Sequence, residues 1–133
     1  MLDFDQKICL NSIMITKEKR YNNIISCNIF FKKALDDIGL KNNYIGYYYL
    51  VKIINLLINE NVKAVSFYKN IYPQVAQIFN KSVCTVERNI RVLIDNCWNK
   101  NMKEILNCKF IKNKPSCCKF ILIIKNYILS LIN

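Results

Sequence analysis

Cys84, Glu87, Arg88 and Arg91 stand at three- and four-residue steps, so on a helix they share one face. Their chemistry suits base edges. Arginine donates in a bidentate way to O6 and N7 of guanine, and a carboxylate accepts from N4 of cytosine. Val86, Ile90, Leu93, Ile94 and Cys97 repeat at the same spacing on the other side, which reads as a buried face. An alternative reading of these residues is an ordinary surface helix with a Glu87–Arg91 pair one turn apart.

Such a face must be aimed. The residues before it, from Pro73, read as a first helix with Val75, Ala76 and Phe79 on one side. Ala76 is small and admits a close neighbour. Asn80 falls at the bend, where a left-handed backbone is needed and asparagine tolerates it best after glycine. Ser82 is placed to cap the second helix. The stretch at about 73–97 is therefore expected to be a helix-turn-helix whose second helix enters the major groove. Lys81, Ser82 and Thr85 at its start, with Lys112 and Lys114 in the basic stretch 109–114, are the candidate phosphate contacts. A solvated charge run is the plainer reading of that stretch.

Composition agrees with this assignment. The chain has 133 residues, two glycines and two prolines. So few breakers, with abundant Ile, Leu and Lys, predict an all-α fold. The net charge of +11 is uneven: residues 64–133 hold eleven basic and three acidic groups, against nine and six before them. The excess lies with the helix-turn-helix and suits a polyanion. A generally basic, lysine-rich protein would look similar.

Other chemistry finds little footing. There is no histidine and no glycine-rich phosphate loop. The nine carboxylates are scattered rather than paired for acid and base roles. Seven cysteines lack C-x-x-C spacing, so no metal is expected, no cofactor is implied and a thiol nucleophile lacks its usual base. Their odd number, with no signal peptide, favours reduced thiols in a cytoplasm. The adjacent Cys117 and Cys118 are read as incidental. The longest apolar run, Phe120 to Ile132, is about 13 residues with Lys125 and Asn126 inside it, so no membrane span is expected.

Along the rest of the chain, residues 1–28 read as an arm of unnamed role. A helix is expected over 29–39, with Phe30, Ala34, Leu35 and Ile38 inward and Gly39 ending it. The central core helix is expected over 45–59, and Tyr47, Tyr48 and Tyr49 are read as core packing rather than a base-stacking platform. Another helix starts over 64–71, and Pro73 suits the first turn of the next. A brief helix follows over 101–107. A last one spans 117–131, capped by Ser116, with Phe120, Ile121, Ile124, Ile128 and Leu131 inward.

Particular residues bring a family into view. These are Ile38-Gly39-Leu40, Ile45-Gly46-Tyr47 with Tyr49-Leu50, and Tyr72-Pro73 with Ala76. Val86-Glu87-Arg88 with Ile90-Arg91, Trp98, Lys114-Pro115 and Phe120-Ile121 complete the set. Together, over about residues 29–133, they resemble the C-terminal effector domain of the master response regulator of sporulation initiation in endospore-forming Firmicutes. The resemblance implies an all-α domain, a compact bundle of about six helices, that binds short AT-rich promoter boxes, usually as tandem copies, to activate or repress transcription. By position, Glu87, Arg88 and Arg91 match its DNA-reading residues, and Lys114 matches a basic residue that reaches DNA.

Departures accompany the match. The family's usual Ser and Arg before Val-Glu-Arg are here Cys84 and Thr85; a small residue is replaced by Asn89 and a histidine by Val92. Residues 1–28 are too short for the receiver domain of full-length members, so a stand-alone effector domain or an incomplete copy is expected. The expected activity is that of a sequence-specific, DNA-binding transcriptional regulator and not an enzyme. Its partners would be double-stranded promoter DNA and a second copy of the chain, as a homodimer or tandem array. The alternative is an interaction protein that pairs with a full-length regulator and modulates it without reading DNA.

Overall fold

A computed structural model describes residues 28–62 and 66–132. The expected arm, residues 1–28, lies outside them except for Asn28, which already belongs to a helix. The described residues form six α-helices and no strand. They are α1 (28–37), α2 (Ile45–Ile58), α3 (Tyr72–Phe79), α4 (Val83–Cys97), α5 (Lys100–Ile105) and α6 (Cys117–Ile132).

Helix α2 is the hub, packing against α3, α4 and α6. Its sequence is apolar on nearly every side, as a helix surrounded by others must be. Tyr47, Tyr49, Leu50, Ile53, Ile54, Leu56 and Leu57 are all buried. Tyr47 is anchored by polar contacts as well: its hydroxyl bonds to the Asp36 carboxylate at 2.7 Å and the Lys32 carbonyl at 3.0 Å, tying α2 to α1. Burial and the neighbouring Asp36 push its hydroxyl well above the ordinary tyrosine range. Buried Asn55 accepts from Asn59 at 2.6 Å. The tyrosine cluster is core packing, with Tyr48 at the rim and Lys32 over its ring at 5.7 Å.

Helix ends explain how so few glycines suffice. Gly39, Asn61, Asn80 and Asn107 all have left-handed backbone, with φ of 99°, 53°, 54° and 58°. At each, the following amide reaches back to close the last turn: Leu40 to Leu35, Val62 to Leu56, Lys81 to Ala76 and Cys108 to Lys103. Asparagine does glycine's work at three of these four stops.

Several expectations are corrected. The segment expected as a helix start over 64–71 is a π-helical turn, Phe67–Ile71, that runs directly into α3, while residues 63–65 lie outside the description. The brief helix is Lys100–Ile105, because Asn99 caps it by accepting from the Met102 amide. Leu131 is exposed rather than inward, while the next residue, Ile132, packs against the core, so Leu131 falls beside the buried face of α6.

The tightest packing lies between α2 and α4. A Cβ added at Gly46 would overlap the Asn89 carbonyl oxygen and lie 2.7 Å from its carbon. Overpacking of this kind costs about 1–3 kcal/mol. Gly46→Ala is therefore expected to lower unfolding free energy by about 3 kcal/mol in urea titration, since the obstacle is backbone. Tyr49 supplies the opposite case. Its buried hydroxyl has no partner among the described residues, so Tyr49→Phe should raise stability by about 1 kcal/mol in the same assay.

Candidate nucleic-acid interface

Helix α4 is built from its cap. Ser82 has extended backbone and its hydroxyl accepts from the Thr85 amide at 3.1 Å. The same hydroxyl lies 2.8 Å from the Thr85 hydroxyl, so these two candidate phosphate contacts are engaged with each other. Lys81, one residue before, is exposed. The left-handed Asn80 (φ 54°, ψ 51°) turns the chain between α3 and α4. The helix-turn-helix thus runs over the residues its sequence marked.

Helix α4 divides as its spacing requires. Val86, Ile90, Leu93, Ile94 and Cys97 are buried, each contributing roughly 1.5–3 kcal/mol for a large side chain. Cys84, Arg88 and Arg91 are exposed on the other side. Arg88 is exposed and has no ion-pair partner among the described residues.

Glu87 and Arg91 behave differently. The Arg91 Nη2 donates to both Glu87 carboxylate oxygens. Arg91 remains 58% exposed whereas Glu87 is 14% exposed. The carboxylate is thus turned back towards the protein while the guanidinium stays outside. Hydrogen bonding to Glu87 raises the Arg91 pKa further above its ordinary value. The surface pair considered from spacing alone does form, and it lies on the same face as the free Arg88.

The basic stretch 109–114 is irregular, with no strand. Lys112 is exposed. Lys114 reaches Asp95 at 3.5 Å, which places this cation one turn beyond Arg91 on the α4 face. All nine candidate residues are therefore on or beside α4, except Lys112, which follows the loop.

Two contributors were not marked by sequence spacing. Tyr68, exposed on the π-helical turn, meets Tyr72 edge-on at 5.2 Å. Its hydroxyl pKa is raised by desolvation first, then by the charge of Glu87. Cys117, the first residue of α6, donates its thiol proton towards Glu87 Oε1 at 3.6 Å and the Glu87 carbonyl at 3.7 Å. Neither residue type announces such a place, and the adjacent cysteines read as incidental.

No group of three or more His, Cys, Asp or Glu among the described residues could hold a metal ion. No described helix is long and apolar enough to cross a membrane.

Two helices joined by a left-handed turn, the second carrying exposed arginines outward, define the helix-turn-helix class. Residues 31–128 match the family described as "Sporulation initiation factor Spo0A C terminal", and the chain belongs to that family. The family is one of DNA-binding regulatory domains.

Burial, followed by the Glu87 charge, pushes the Cys117 thiol from its ordinary 9.0 up to about 12. A raised acid holds its proton in the folded state after the unfolded chain has lost it. Its stabilising contribution is therefore present below about pH 9 and declines above it. Chemical unfolding from pH 8 to pH 10 should show a fall in stability that is smaller in Cys117→Ala.

Proposed function

We propose that this chain is a sequence-specific transcriptional regulator that reads short AT-rich promoter boxes with α4. The observation that carries this reading is the exposed Arg88, without an ion-pair partner among the described residues, on a helix whose opposite face is packed into the core. Arg88 makes the principal base contact. Arg91 keeps its Nη1 and Nε donors for a base or phosphate while Nη2 is held by Glu87. Glu87 sets base preference, and Cys84 meets the groove at the first turn. Lys81, Ser82, Thr85, Lys112 and Lys114 position the backbone, helped by the unpaired first-turn amides common to helix N-termini. Double-stranded DNA is the partner, bound by a homodimer or by tandem copies.

One observation favours a second reading. Thr85 supplies no cation, and its hydroxyl is engaged with Ser82. A weakened reader could instead act by pairing with a full-length regulator.

The two are separated by binding-site selection followed by gel shift. Arg88→Ala should lose about 1–3 kcal/mol of discrimination for the selected box. Lys112→Ala should weaken all sequences alike and lower the salt slope by about 1. Normal box preference in Arg88→Ala would overturn the DNA-reading assignment. Capture of the full-length regulator without DNA would then favour pairing.

A further inference from the structure

We infer that Cys117 is a positioning residue for DNA reading, acting from α6 through Glu87 to fix the guanidinium of Arg91; this rests on the DNA-reading function proposed above. The chain of contacts is continuous. The Cys117 thiol points at one carboxylate oxygen and the backbone carbonyl of Glu87. Both oxygens of that carboxylate receive the Arg91 Nη2. Cys117 is itself immobilised, 6% exposed at the start of the helix whose Phe120, Ile121 and Ile124 are in the core.

Each link has a physical reason. A pair between Glu and Arg one turn apart on an exposed helix is weak, about 0.3–0.5 kcal/mol, and interchanges readily with water. Such a pair alone leaves a long arginine side chain free among its rotamers. Anchoring the acid from behind changes this. Glu87 is 14% exposed because α6 covers it, so its carboxylate has one orientation to offer. Arg91 then presents its remaining donors from a fixed point, and less entropy is lost when they meet DNA. The thiol stays protonated at neutral pH, as a donor must, because burial opposes the thiolate. Tyr72 meets Cys118 at 3.7 Å, which closes the other flank of the same corner.

The test uses the full chain. Arg91 side-chain order, followed by ¹⁵N relaxation of its Nε–H, is expected to fall in Cys117→Ala and to persist in Cys117→Ser, which keeps a donor. Against a duplex from binding-site selection, Cys117→Ala should lose about fivefold in preference at the base pair that Arg91→Ala affects, and none at the one that Arg88→Ala affects. In an Arg91→Ala background, Cys117→Ala should change neither. Melting curves control for folding, and the serine variant separates a lost hydrogen bond from a lost side chain. Unchanged Arg91 order in Cys117→Ala overturns the positioning role, whatever DNA does. Loss of order with wild-type base preference, while Arg91→Ala does alter preference, overturns its effect on reading. If neither arginine variant alters preference, the DNA-reading function fails instead, and the proposal with it.

Discussion

The close approach of two helix backbones at Gly46 governs this molecule. Helix α4 lies so near α2 that no side chain fits between Gly46 and the Asn89 carbonyl. That contact sets the depth at which α4 is seated. It puts Val86, Ile90 and Leu93 fully inside, and therefore Arg88 and Arg91 on the exposed side. A more distant α4 would leave gaps along its apolar face, and cavities in a close-packed core are costly. The orientation of the cations is thus a consequence of packing behind them.

Much of this was legible in the sequence, for reasons that are local. The 3.6-residue rhythm from Val86 to Cys97 marks one buried face whatever the helix packs against. Asn80 and Ser82 act within three or four residues of themselves, so a turn and a cap follow from their types and order. Belonging to a family of DNA-binding domains agrees with that local reading. The π-helical turn before α3 was not legible, because Pro73 marks where a helix begins and does not specify how tightly the preceding turn winds.

What escaped the sequence joins residues far apart in the chain. Gly46 and Asn89 meet only in the fold, and a glycine inside a helix looks like a weakness until its neighbour is known. Cys117 reaches Glu87 across thirty residues, and no spacing rule spans that distance. Leu131 continues the apolar rhythm of α6 yet lies outside, because the buried face follows the four-residue step from Phe120 through Ile124 and Ile128 to Ile132.

On the face proposed to read DNA, the ion pairs would bear on specificity more than on stability. Exposed pairs of this kind contribute about 0–1 kcal/mol to folding. A chain with a net charge of +11 already attracts any nucleic acid, and that attraction carries no sequence information. Two of the three acidic groups in residues 64–133, Glu87 and Asp95, lie on α4, each paired with a cation. They offset part of the indiscriminate positive charge on this helix face. Arg88, between them in the chain, has no ion-pair partner among the described residues. Specificity is a difference between affinities, so under the proposed function, lowering the attraction to every phosphate while sparing Arg88 would widen that difference.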